Sequence, residues 1–345
     1  MFPNFPGSMP ALRSLTLDSE GPDWDSSIDP FETFIPALNQ LSLANVPLYP
    51  SLLNLRTLVE LTIRDRHRFD LSLGTLLNFL EQNRSLESVT LGIRFARPSL
   101  RNSRRRNPMR SRLRSLLVEG RDVMGTLALI SGIPLQSGAH LGINLEDKAA
   151  RLDDILPTLS ARHFSNLSSP TFLKIERNSD ITNILLRGTS GMFTLGTFSH
   201  SADSFADFAE LPLANVREVH FSDSVFDSDP LVFRPSFFPA LETLAVKCEE
   251  DPLYVLSALL DNPSSSPSLK TLAFLNCDLT DEFIAELTEF ASERRSIPSL
   301  TGWLDRVLII HRDGMFPSPS SIRKLKEYVK VIDFRMEDDF PTDLS

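Results

Sequence analysis

Cysteine occurs only twice in the 345 residues, at Cys248 and Cys277. Two thiols cannot build a disulfide framework, and such scarcity suits a reducing compartment. Long apolar runs are missing as well. Stretches such as Val307–Ile310 fall far short of the roughly 20 apolar residues that a membrane-spanning helix needs. The amino end, Met1-Phe-Pro-Asn-Phe-Pro-Gly, lacks the basic start and apolar centre of a secretory leader. The expectation is a cytoplasmic or nuclear protein without a membrane, and the glycosylation triplets at Asn83 and Asn166 then read as chance.

Catalytic signatures are equally scarce. The histidines His67, His140, His163, His200, His220 and His311 form no His-x-x-x-His pair, and no Cys-x-x-Cys occurs, which argues against zinc. Neither Gly-x-x-x-x-Gly-Lys-Ser/Thr nor Gly-x-Gly-x-x-Gly is found, and Gly188-Thr-Ser190-Gly lacks the spacing of a nucleophile elbow. Paired acids at Asp153-Asp154, Glu249-Glu250 and Asp338-Asp339 fit loops or helix starts. The expectation is no catalytic residue, no metal and no cofactor.

What the chain has in abundance is one short phrase: an apolar residue, two variable ones, an apolar residue, one variable, a third apolar. It reads Leu12…Leu15…Leu17, Leu38…Leu41…Leu43, Leu58…Leu61…Ile63, Leu86…Val89…Leu91 and Leu113…Leu116…Val118. It returns as Val216…Val219…Phe221, Leu241…Leu244…Val246 and Leu269…Leu272…Phe274, with looser copies ending at Leu145, Ile175, Ile309 and Phe334. The gap from Ile175 to Phe221 leaves room for one more copy near Phe193–Thr197. Repetition at 20 to 30 residues is the mark of a solenoid, whose units bury apolar faces only against their neighbours.

The alternating end of the phrase predicts a short strand with one buried face. Helical spacing lies between several phrases. Residues 70–82 place Leu73, Leu76, Leu77 and Leu80 on one face. Helices are also predicted from Asp251-Pro, from Thr280 with Phe283, Ile284, Leu287 and Phe290 inward, and from Ser318-Pro. Strand, helix, strand over about 26 residues forces parallel strands with helices behind them. The expected fold is α/β: a leucine-rich-repeat solenoid of about 12–13 irregular repeats, with a curved parallel sheet on its concave face and helices on its convex face. It is read as a single unit over 1–345, with an arginine-rich insertion at 94–114 and an acidic tail at 336–345.

Pro36-Ala-Leu-Asn-Gln-Leu-Ser-Leu, Pro239-Ala-Leu-Glu-Thr-Leu-Ala-Val and Pro267-Ser-Leu-Lys-Thr-Leu-Ala-Phe alternate with Ser/Pro-rich helices. This resembles the repeat region of the large fungal F-box protein families. Cys277, three residues after a phrase and followed by Leu-Thr-Asp, resembles the turn of cysteine-containing and ribonuclease-inhibitor-like repeats. The resemblance implies the substrate-recognition region of an SCF-type ubiquitin-ligase adaptor. Family members also carry an amino-terminal F-box, and nothing like it precedes Leu12. The expectations are therefore a truncated adaptor, with the ligase's adaptor subunit as partner only if an F-box lies upstream, or a freestanding scaffold or inhibitor. An enzyme using an acidic column with a metal is the rival from another class.

Net charge is −10, unevenly spread. Residues 51–150 carry 16 Lys and Arg against 9 Asp and Glu, and residues 201–300 carry 6 against 18. Such fields steer partners. Nine arginines lie within 94–114, among them Arg101, Arg104, Arg105, Arg106 and Arg110. They read as a solvated insertion, a nuclear-localisation patch or a dock for acidic protein. The net charge and the lack of interleaved aromatics argue against nucleic acid.

The residues flanking the last apolar position of each phrase are the candidates for partner contact: Arg64, Glu119, Glu146, Lys174, Glu176, His220, Lys247, Leu275, Leu308 and Ile310. Two patches are expected among them. Glu119, Glu146 and Glu176 would stack as an acidic column. Leu275, Leu308 and Ile310 with Ala273 would form either an exposed apolar patch or covered core.

Overall fold

A computed structural model describes residues 9–19, 35–49, 51–64, 72–92, 112–120, 123–133, 135–146, 167, 169–177, 181–197, 211–223, 234–248, 253–261, 264–276, 280–297, 303–311 and 317–336. The strands among them are β1 (Ser14–Asp18), β2 (Gln40–Ala44), β3 (Glu60–Arg64), β4 (Ser88–Gly92) and β5 (Ser115–Gly120). They continue as β6 (His140–Leu145), β7 (Phe172–Arg177), β8 (Thr182–Arg187), β9 (Met192–Thr197) and β10 (Glu218–Asp223). The last are β11 (Thr243–Cys248), β12 (Thr271–Leu275), β13 (Leu304–His311) and β14 (Val329–Met336). The helices are α1 (Leu73–Gln82), α2 (Val123–Gly132), α3 (Leu253–Leu260), α4 (Asp281–Ser296) and α5 (Pro319–Leu325). The fold is α/β with mostly parallel strands and few helices.

The chain divides into two compact units. In the first, β1-β2-β3-β4-β5-β6-β9 lie side by side, all parallel. In the second the order is β8-β7-β10-β11-β12-β13-β14, parallel except for the antiparallel pair β7/β8.

The repeated phrase explains the pairing. Its second apolar position forms the row Leu15, Leu41, Leu61, Val89, Leu116, Leu141, and its third the row Leu17, Leu43, Ile63, Leu91, Val118, Ile143. Unit two repeats the rows as Leu173, Val219, Leu244, Leu272, Val307 and Ile175, Phe221, Val246, Phe274, Ile309. Apart from the half-buried Leu15 and Leu17 of β1, these side chains are buried. The opening residue of the phrase is buried just ahead of its strand at Leu38, Leu58, Leu86, Leu113, Val216, Leu241 and Leu269. Each such side chain contributes roughly 1.5–3 kcal/mol of burial free energy, so slipping a strand by one residue is strongly disfavoured.

The helices are closed by local chemistry. Ser72 Oγ accepts the Thr75 N–H at 3.0 Å ahead of α1, Thr280 Oγ1 accepts that of Phe283 at 3.0 Å ahead of α4, and Ser318 Oγ accepts that of Ser321 at 3.2 Å ahead of α5. α4 buries Phe283, Ile284, Leu287 and Phe290 as expected, and Phe283 meets Phe274 of β12 edge-to-face at 4.9 Å. α1 buries Leu76 and Phe79; Leu73, Leu77 and Leu80 are only half buried.

Arg294, in the last turn of α4, is a buried cation. Its Nη1 donates to the Ser266 carbonyl and its Nη2 to the Leu269 carbonyl, both at 3.0 Å. Burial lowers its pKa from the ordinary value, yet a guanidinium stays protonated in proteins. The charge is thus spent on pinning α4 to the lead-in of β12.

Two asparagines shape the turns after strands. Asn45 and Asn276 have φ of 55° and 60°, a left-handed conformation that asparagine tolerates better than most residues. Their N–H groups donate to Arg64 and Ile310 carbonyls at 2.7 Å, extending the ladder one step beyond β2 and β12. Gly120 ends β5 against α2: a Cβ there would lie 2.0 Å from Thr126 Oγ1.

Candidate functional site

Parallel sheets are normally covered on both faces and read as continuous apolar runs. Here parallel strands alternate, so each sheet has a second face made of the intervening residues. In unit one the rows across this face are Thr16, Ser42, Thr62, Thr90, Leu117, Gly142, Thr194 and Asp18, Ala44, Arg64, Gly92, Glu119, Asn144, Gly196. In the first row the side chains from β1 to β4, Thr16, Ser42, Thr62 and Thr90, are short and hydroxylated, and all are at least partly exposed. Arg64 and Glu119 meet across β4, Nη2 to Oε1 at 3.4 Å. Gly92 permits that reach, because a Cβ on it would lie 3.1 Å from Glu119 Oε2 and 3.3 Å from Arg64 Cγ. On the same face His140 Nε2 lies 3.2 Å from Thr194 Oγ1 beside Gly142. Partial burial pushes the His140 pKa below its ordinary value, which keeps the ring neutral at pH 7.

In unit two the rows are Leu185, Lys174, His220, Ala245, Ala273, Leu308, Asp333 and Asn183, Glu176, Ser222, Lys247, Leu275, Ile310, Arg335. Lys174 Nζ pairs with Glu176 Oε1 at 2.6 Å along β7. His220 Nε2 lies 2.7 Å from Glu218 Oε1, and its ring meets Phe172 edge-on at 4.9 Å, with Arg187 stacked 4.5 Å above Phe172. Arg306 and Arg335 both donate to Asp333 Oδ2 at 2.9 Å. These bonds, that from Arg335 first, hold the Asp333 carboxyl below its ordinary range.

The structure decides between the two readings of the apolar set and revises the acidic column. Leu275, Leu308 and Ile310 are buried with Ala245 and Ala273, Ile310 at 0 % exposure, so they are core rather than an open apolar patch. The acidic column does not form. Val118 pairs with Ile143 and not with Leu145, so Glu119 faces Asn144, and Glu146 lies two residues further on. The partner of β6 on its other side is β9, whereas Glu176 belongs to the second unit, between Asn183 and Ser222. Arg64 and Lys247 are exposed as expected. Arg101, Arg104, Arg105, Arg106, Arg110 and Cys277 lie outside the described residues, as does most of the 94–114 insertion and all of the tail beyond Met336.

One feature was not anticipated from the sequence. The residue after each phrase's opening apolar position forms a charged row along unit two: Arg217, Glu242, Lys270, Asp305, Lys330, alternating in sign from strand to strand. Glu242 lies 3.5 Å from both Arg217 and Lys270, and Lys330 is ion-paired with Asp305. The signal is visible at one fixed position of the phrase once neighbouring phrases are aligned.

No family model matches the chain, and no curated protein matches it.

Proposed function

We propose that the chain is a leucine-rich-repeat solenoid that recognises a protein through the second face of its sheet. As the resemblance to the fungal F-box families implies, it would select substrates for an SCF-type ubiquitin ligase and have no chemistry of its own. The observation that supports this most is the alternation within parallel strands: in unit one β1 to β4 carry a partly exposed polar row, Thr16, Ser42, Thr62 and Thr90. Short hydroxylated side chains give low relief and adaptable hydrogen bonds, while Glu60, Arg64 and Glu119 set charge at the rim. That division suits a protein surface, where charge fixes register and association rate.

The test replaces Thr62 and Thr90 together with lysine, which leaves the apolar rows untouched. Affinity capture from cells with each chain, quantified by mass spectrometry, should recover a defined partner with the wild type. The variant should recover at least tenfold less, with an unchanged melting curve. If the ligase reading holds, the partner's half-life lengthens when the chain is removed from the cell, and the ligase's adaptor subunit co-purifies only when an F-box is present upstream of the repeats. Equal capture by both chains refutes the face as the binding site. An unchanged half-life refutes the ligase assignment and leaves a freestanding binding protein.

A further inference from the structure

We propose that the edge of β14 is a docking site for one more strand. It would be supplied in parallel by a partner protein as an extended segment with an acidic residue two positions before an alternating apolar pair. This surface is the edge of the sheet: Val331 and Arg335 also border the face described above, but the proposal does not depend on that face binding a partner. Among the described residues β14 has one strand neighbour, β13, and ends the sheet order of its unit.

Three observations converge on this edge. The first is the charged row. From Arg217 through Glu242, Lys270 and Asp305 to Lys330 each residue faces opposite charge on the next strand, and the row ends on a cation at the edge. The next strand in the same register would place an acid beside Lys330, just as Glu242 stands between Arg217 and Lys270. The second is the apolar filling. The interior row positions Val307 and Ile309 of β13 are fully buried, whereas their β14 partners Ile332 and Phe334 are only half buried. The third is Val331, 51 % exposed at an edge where one more strand would cover it. Added strands bind through their backbone and are selected by alternate side chains.

The chain itself writes the required pattern: Glu242-Thr-Leu244-Ala-Val246 satisfies it. In continued register Glu242 would face Lys330, Leu244 would face Ile332 and Val246 would face Phe334. An acid at position 247 of such a segment would face Arg335. Charged residues on an edge also deter unwanted pairing, and the experiment separates recognition from deterrence.

The probe is a fluorescein-labelled synthetic peptide copying residues 239–248 with Lys247→Asp and Cys248→Ser, titrated with the full chain by fluorescence anisotropy. Saturable binding is expected. Glu242→Lys in the peptide should weaken it by roughly fivefold at low salt, the scale of an exposed ion pair exchanged for a repulsion. Lys330→Glu in the protein, an exposed change with its fold checked by circular dichroism, should weaken the first peptide and restore the reversed one. Hydrogen exchange should gain protection on β14 alone. The proposal is overturned by no binding at millimolar protein, by indifference to both charge reversals, or by protection at β10–β12, which would signal strand exchange into the sheet. Concentration-dependent self-association in sedimentation, lost on Lys330→Glu, would make a second copy the occupant and overturn the partner assignment.

Discussion

Replacing Arg294 with leucine keeps most of the side-chain volume and removes the fork that holds the Ser266 and Leu269 carbonyls at 3.0 Å. Hydrogen bonds from a charged donor contribute about 1.5–3 kcal/mol each, so the two together set a ceiling of about 3–6 kcal/mol. Two effects lower it. The Ser266 carbonyl keeps the Leu269 N–H at 3.1 Å, and losing the charge relieves the cost of burying it, which is substantial at 2 % exposure. A net loss of about 2–4 kcal/mol is expected. Arg294→Lys keeps the charge without the planar fork and should fall between leucine and the wild type. Urea unfolding followed by far-ultraviolet circular dichroism and by tryptophan emission measures both variants, since Trp303 stacks 4.1 Å from Arg295 at the same helix end. A leucine variant within about 0.5 kcal/mol of the wild type would show that the two bonds carry no net stability. A lysine variant less stable than leucine would show that charge burial, not bond loss, dominates.

Gly120→Ala should cost about 1–3 kcal/mol by thermal unfolding, because its Cβ would meet Thr126 Oγ1 at 2.0 Å, and Thr126→Ala in the same chain should recover part of that loss. His140 has a folded pKa below its ordinary 6.5, so the unfolded chain takes up the proton first as pH falls. Its contribution is complete above about pH 7 and is lost as pH drops through the region below 6.5. His140→Gln should flatten the stability profile between about pH 7 and pH 5, and an unchanged slope would refute the assignment. Asp333 runs the opposite way: its carboxyl is held below the ordinary 3.8 by Arg335 and Arg306, so its contribution is present at neutral pH and disappears only in acid. Asp333→Asn should lower stability at pH 7, and that loss should shrink as the pH falls below 3.8.

The phrase made most of the strands legible. The strict copies fall on β1 to β5 and β10 to β12, and the looser ones on β6, β7, β13 and β14, because an apolar row that must align across neighbours tolerates few exceptions. Residues 193–197 do form a strand, within β9. β8 was invisible because it does not carry the phrase. It returns antiparallel from β7 across residues 178–181, a connection far too short for a parallel crossover. α2 escaped notice because Gly125, Thr126, Leu127, Leu129 and Ile130 are all buried, leaving no amphipathic stripe to read. At the face, two features stay hidden in the sequence for different reasons. The phrase identifies which residues alternate but not which of two apolar residues pairs next door, so Leu145 was read where Ile143 holds the row. Burial of Leu275, Leu308 and Ile310 depends on what lies over the face, which strand periodicity does not encode.

The rows stay aligned although the connections between parallel neighbours that are also consecutive in sequence differ widely in length, from 15 residues (45–59) between β2 and β3 to 28 (276–303) between β12 and β13. Insertions and deletions therefore have two very different effects. Between phrases, added residues leave every row in place, as the contrast between those two connections illustrates. Within a phrase, losing a single residue exchanges the two faces of that strand, sending Thr62 inward and Leu61 or Ile63 outward in β3. Variation in length should accordingly accumulate between strands and stay out of them, while single substitutions remodel the exposed rows one side chain at a time.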